Sequence, residues 1–137
     1  MKLGTGVALS RMFLVEDARG RLSAGEFPQH LPFSPVRYFV VYDVPPGQTR
    51  GEHAHRQCRQ FLVPLGGSIR VTADDGVTRE EIVLDRTDTG LYVPPMVWTV
   101  QHDFSPGATL LVLASETYDP ADYIRDYDEF RALVRAC

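Results

Sequence analysis

The stretch PPGQTRGEHAH, Pro45 to His55, decides how the rest of the chain is read. Pro45, Pro46 and Gly47 cannot continue a central strand, so they turn the chain, and the residues after them read as extended. On an extended strand, residues two apart project to the same side, which puts His53 and His55 on one face. Two such imidazoles are a solvent-facing pair, a pair of metal ligands or a proton-transfer pair. Outward from this segment, short runs rich in β-branched and aromatic residues alternate with turn signals roughly every ten residues. Strands are expected over Met12–Glu16, Arg37–Val44, Gln60–Leu65, Ser68–Ala73, Glu80–Leu84, Gly90–Val93, Val97–His102 and Thr109–Ser115. Gly66-Gly67 and Asp74-Asp75-Gly76 supply hairpin turns, and Pro94-Pro95 marks a bend or an edge. From Pro120 onward, Tyr123, Tyr127, Phe130, Leu133 and Val134 recur at helical spacing, with Asp119 expected as the N-cap. The expected fold is all-β, a double-sheet jelly roll closed with a short C-terminal helix.

The 137 residues fit a single domain, 1–137, and neither a linker nor a repeat divides them. Fourteen basic against eighteen acidic side chains leave a formal charge of -4. That argues against a nucleic-acid binder, which needs a concentrated positive field, so an anionic ligand must be held by a local arginine cluster. Apolar runs such as Leu110 to Ala114 are too short to span a bilayer, and no membrane role is expected. The first twenty residues contain no continuous apolar segment of a signal peptide, because Gly4, Gly6, Ser10 and Arg11 interrupt it. Cys58 and Cys137 do not make a disulfide framework, which points to the reducing cytoplasm.

The spacing around the histidine pair carries more. Gly47 stands six before His53, Gln60 five after His55, and Gly67 seven after that; Gly90-Leu91-Tyr92-Val93-Pro94-Pro95 comes later in the chain. This pattern resembles the two motifs of the cupin superfamily, a double-stranded β-helix of the jelly-roll type. Metal-binding cupins complete the histidine pair with an acid from the first motif and a histidine from the second. Here the acid position is Gln60, and the second-motif region reads Val97-Trp98-Thr99. Both departures remove ligands, and an amide is a poor substitute for a carboxylate, so no metal is expected. His102 is the residue placed to complete a three-histidine set should one form.

Longer pieces narrow the resemblance. Arg50 through His55, Gln60-Phe61-Leu62-Val63, Trp98, His102-Asp103-Phe104-Ser105, and the run from Tyr118 through Tyr127 look like the cupin-type sugar 3,4-ketoisomerases, the WxcM-like group. The similarity extends from about Phe33 to Phe130. It implies an enzyme acting on TDP-4-keto-6-deoxyglucose in deoxysugar biosynthesis, without a cofactor, and a homodimer whose N-terminal strand, Met12–Glu16, exchanges between subunits. It implies His53 as the base at carbon and His55 as its partner for oxygen protons, although face parity alone leaves the two roles interchangeable. Arg37, Arg50 and Arg70 are the candidates for the diphosphate, because guanidinium forks match phosphate oxygens. Trp98 is the candidate stacking platform for thymine, and Gln60 and His102 complete the expected substrate contacts. The family also draws a tyrosine from the strand before the turn, which here offers Tyr38 and Tyr42. The alternatives are a metal-dependent cupin enzyme of the dioxygenase kind, a nucleotide-sugar 3,5-epimerase and a non-catalytic sugar binder.

Overall fold

The computed structural model describes residues 1–136, so Cys137 lies outside the described residues. Twelve strands and one helix run in order: β1 (Ala8–Arg11), β2 (Phe13–Asp17), β3 (Gly20–Ala24), β4 (Arg37–Tyr42), β5 (Arg50–His55), β6 (Gln60–Gly66), β7 (Ile69–Asp74), β8 (Arg79–Leu84), β9 (Thr89–Val93), β10 (Trp98–His102), β11 (Thr109–Ala114), β12 (Tyr123–Ile124) and α1 (Tyr127–Arg135). One five-stranded sheet has the order β1-β9-β6-β11-β4, the other β12-β5-β10-β7-β8, and β2 and β3 form a separate hairpin. All pairings are antiparallel. This is the expected jelly roll.

The two sheets meet through alternating residues. Along β11, Leu110, Val112 and Ala114 are fully buried while their neighbours are half-buried, the period-two signature of a strand with one face in the core. Leu110 and Val112 face Ile69, Val71, Ile82 and Leu84 of the opposite sheet in one continuous cluster. Each such side chain contributes roughly 1.5–3 kcal/mol by leaving water. Where β6 passes β9, a β-carbon on Gly90 would fall inside the Phe61 ring, so only glycine lets the two strands approach.

A second apolar cluster lies outside the barrel. Ala54, Trp98 and Ile124, on the outer face of the second sheet, receive Phe130 of α1. The helix is tied down by Tyr127, whose hydroxyl donates to Asp74 Oδ2 at 2.6 Å.

The C-terminal segment departs from the sequence reading. Asp119 does cap a turn, accepting from the Ala121 amide at 3.0 Å, but that turn is a single 3₁₀ turn over Pro120–Asp122. The chain then becomes extended, and Tyr123 and Ile124 pair with His55 and Ala54. The unpaired edge of β5 offers hydrogen bonds that override the local helical pattern. The helix starts only at Tyr127, where Asp126 accepts from the amides of Asp128 and Glu129 at 2.8 and 3.1 Å. Among the described residues no helix is long and apolar enough to cross a membrane.

Candidate active site

The site begins at a defect in β5. Gly51 and Glu52 both have positive φ, 84° and 57°, and the pairing of β5 with β10 slips between Thr99 and Val100. A β-carbon on Gly51 would stand 3.1 Å from the Thr99 carbonyl oxygen, so the bulge demands glycine. Past it, His53 and His55 point inward with their ring centroids 4.9 Å apart and their planes perpendicular. The shared face read from the sequence is present.

Each imidazole is held by its Nδ1. His53 Nδ1 lies 3.0 Å from the Gly51 carbonyl oxygen, so it carries the proton and donates. His55 Nδ1 lies 2.9 Å from Asp122 Oδ2. Asp122 is itself fixed by the backbone, with Oδ1 accepting from the Gln57 amide at 2.6 Å and Oδ2 from that of Cys58 at 3.3 Å. His55 Nε2 is buried without a hydrogen-bond partner. Tyr123 packs on both imidazoles, with centroids 5.0 Å from His53 and 4.4 Å from His55.

Burial sets the electrostatics. It pushes His53 down from 6.5 to about 4, helped by the charge of His55 and of Arg125 and opposed by the Gly51 carbonyl. His55 is also lowered, first by burial, against the opposing hydrogen bond and charge of Asp122; Arg37 and Arg125 lower it further. For Asp122, burial alone would raise the carboxyl, but the bonds from His55, Gln57 and Cys58 prevail and hold it below the ordinary range. Both histidines are therefore neutral at pH 7, and the carboxylate is ionised.

Two cations stand at this end of the barrel. Arg37 starts β4 opposite Ala114, which also pairs with Gln60, so Arg37, Ala114 and Gln60 share the inward face. Its guanidinium lies 5.7 Å from the centroid of the Tyr118 ring, and its Nε is buried without a partner. Arg125 sits 4.3 Å over the Tyr123 ring. Gln60 is buried, at 3% exposure, on the expected inner face.

The remaining expected site residues are elsewhere. Arg70, Trp98 and His102 lie on the outer face of the second sheet, opposite to the side of Thr99 that is paired with His53. Arg70 pairs with Glu81 at 2.6 Å, and His102 contacts Thr72 and Asp103 at 2.8 and 2.9 Å. Trp98 packs edge-on against Tyr127 at 5.3 Å and beside Phe130 at 5.8 Å, anchoring the helix rather than a ligand. Arg50 is at the far end of β5, roughly 15 Å along the strand from His55, beside Val41, Asp43 and Gln48. Tyr38 and Tyr42 point outward, 69% and 62% exposed. Asp122, Tyr123 and Arg125 join the site unexpectedly, because helical spacing in this run masks the extended segment. The signal for it is the alternation of polar Tyr123 and Arg125 around buried Ile124.

The residues present do not fit a cupin metal. Gln60 stands in the acid position, and His102, the candidate third histidine, is on the other side of the sheet. Among the described residues one group of potential ligands, His55, Cys58 and Asp122, has its donor atoms within 4.8 Å of one another. It uses the Nδ1 side of His55, excludes His53, and its carboxylate is already engaged by backbone amides.

A jelly roll with a pair of imidazoles turned inward from one strand defines a cupin-type protein. A family model described as FdtA, WxcM-like, C-terminal, matches residues 5–135, and the chain belongs to this family. The TDP-4-oxo-6-deoxy-alpha-D-glucose-3,4-oxoisomerase of Aneurinibacillus thermoaerophilus is 47% identical over 118 residues, 86% of this chain and 85% of that protein. A 3,4-ketoisomerase from Helicobacter canadensis superposes with a TM-score of 0.90 at 38% identity, covering 94% of this chain and 97% of that one. A histidine-to-asparagine variant of QdtA, a 3,4-ketoisomerase from Thermoanaerobacterium thermosaccharolyticum, was solved with TDP-4-keto-6-deoxyglucose. It superposes with a TM-score of 0.92 at 35% identity, over 95% of this chain and 94% of that one.

Proposed function

We propose that this chain is a TDP-sugar 3,4-ketoisomerase that converts TDP-4-keto-6-deoxyglucose to the 3-keto isomer in deoxysugar biosynthesis. The observation that carries the proposal is the pair of neutral imidazoles, each with Nδ1 engaged by the protein and Nε2 left for substrate. Moving a ketone from C4 to C3 removes the proton on C3, forms an enediol, delivers a proton to C4 and exchanges protons between O3 and O4. Ketone and alcohol swap oxidation level within one molecule, so the balanced reaction needs no external electron acceptor. Such transfers need a base that is unprotonated at neutral pH, which burial secures for both imidazoles. His53 takes the carbon proton, and His55 serves the oxygens. Developing charge on the enediol and the charge of the diphosphate fall to Arg37 and Arg125, and Gln60 offers its amide to the sugar. An anion arriving at Arg37 satisfies a buried N–H that otherwise costs about 1–3 kcal/mol. Tyr118, 60% exposed at the same end, is the better-placed surface for thymine than Trp98.

The enzyme works as a homodimer, a reading supported by apolar surface left uncovered on the hairpin and on β4. It acts in the cytoplasm, which suits the free, buried thiol of Cys58. Its partner is a small nucleotide sugar, and its acidic surface suits neither nucleic acid nor a membrane.

The test is His53→Asn, which keeps polarity and approximate size but removes the base. Loss of general-base catalysis lowers kcat by about 10²–10⁴ while thymidine diphosphate still binds, and C3 deuterium exchange monitored by NMR disappears. Isomerisation at the wild-type rate by this variant overturns the assignment.

A further inference from the structure

We infer that Asp122 is a positioning residue of the reaction: it fixes the tautomer of His55 so that Nε2 presents its lone pair to the substrate, and it steadies the imidazolium once His55 takes a proton. This rests on the isomerase reading above and adds to it a residue 67 positions away in sequence from its histidine.

A neutral imidazole carries one N–H, and whichever nitrogen faces an obligate acceptor keeps it. Asp122 is an obligate acceptor here. Its oxygens already receive the amides of Gln57 and Cys58, which can only donate, so the carboxylate has no reason to bind a proton and no freedom to swing. His55 Nδ1 must then be the N–H, and Nε2 the lone pair. Nε2 is also the buried atom that finds no partner in the chain, an unmet acceptor that a substrate hydroxyl can satisfy. Tyr123, next to Asp122 in sequence, packs on the same ring at 4.4 Å, so one short segment sets both the tautomer and the plane of His55.

The two histidines are thereby made unequal. His53 donates to a neutral carbonyl, so a proton it takes from carbon is held without a counter-ion and is readily passed on. His55 donates to an ionised carboxylate and is the member of the pair whose charged form has a local counter-ion. Against that stand the charges that face it from other elements, Arg37 from β4 and Arg125 after β12, together with His53 on its own strand.

Asp122→Asn tests this on the full-length protein. With its oxygen kept on the shorter bond, from the Gln57 amide at 2.6 Å, the new amide nitrogen takes the place of Oδ2, gives up the long contact with the Cys58 amide, and by donating to His55 Nδ1 forces the proton to Nε2. The expected result is a kcat lower by about 10²–10⁴ with KM for the TDP-4-keto sugar and binding of TDP little changed. In ¹⁵N-correlated NMR the His55 signals should move from the Nδ1–H to the Nε2–H pattern. Wild-type kcat in the variant overturns the inference. The wild-type spectrum decides even if the variant fails to fold: a neutral His55 found with its proton on Nε2 also overturns it. An Nδ1–H His55 in a wild-type protein that does not isomerise the sugar overturns the functional reading instead and leaves the tautomer assignment standing.

Discussion

At the scale of single residues, the burial of the histidine pair has a consequence for pH. His53 titrates at about 4 in the folded chain against 6.5 in the unfolded one, and His55 is shifted the same way. Between those values the unfolded chain binds more protons, so stability is full above pH 6.5 and falls as pH drops toward 4, by on the order of 3 kcal/mol for His53 alone. Urea midpoints measured from pH 7.5 to 4 should show that decline. The acid limb of kcat/KM should lie below pH 6.5; a limb centred above it contradicts a buried, neutral pair. Exhaustive chelation should leave activity intact, because the inward residues lack a third and fourth ligand. Recovery by one particular divalent ion after its loss would show the opposite. His53 and His55 were legible in the sequence because their relation is local, two positions on one strand. Arg70, Trp98 and His102 were not, since placing them inside or outside depends on which face of β7 and β10 meets the other sheet. That parity is settled by packing: Val71 and Ala73 are fully buried, so Arg70 and Thr72 face out.

At the scale of elements, the bulge in β5 and the short pairing of β12 make the site. Turn chemistry before the strand was readable from Pro45 to Gly47, but the bulge was not, because Gly51-Glu52 looks like ordinary extended sequence until β10 is laid beside it. β12 was hidden for a related reason: its two residues are extended only because the free edge of β5 pairs with them. The bulge can be tested directly. Gly51→Ala forces a β-carbon into a left-handed conformation and within 3.1 Å of the Thr99 carbonyl, which should destabilise the protein by about 1–3 kcal/mol. It should also shift the Gly51 carbonyl that orients His53, so kcat falls with stability. Gly47→Ala is the control. It has a similar φ of 80° and nothing within 4 Å of its β-carbon, so it should lower the urea midpoint without lowering kcat. Equal kcat in both variants would mean that the bulge does not orient the base.

At the scale of the whole molecule, the jelly roll leaves two apolar surfaces that one chain does not cover. The hairpin β2–β3 pairs only with itself, and Val15 and Leu22, opposite each other on one of its faces, are 55% and 59% exposed. A two-stranded hairpin alone in water is marginal. The outer face of β4, an edge strand, shows Tyr38, Val40 and Tyr42 to solvent. β1 pairs with β9 of its own chain, so the hairpin, more than the strand before it, is the element free to reach a partner. A second copy that exchanges hairpins would cover both faces by two-fold symmetry, each hairpin lying on the other subunit's β4. Introducing charge distinguishes this from a monomer with an apolar surface. Val15→Glu and Tyr38→Glu alter exposed side chains, so in a monomer each changes stability by only about 0.5 kcal/mol. In a dimer either one buries an unpaired carboxylate in the interface, and the pair together should yield monomers by light scattering. Wild-type protein that runs as a dimer while the double variant is a monomer supports hairpin exchange. A double variant that remains dimeric, or a wild-type protein that is monomeric at micromolar concentration, rules it out.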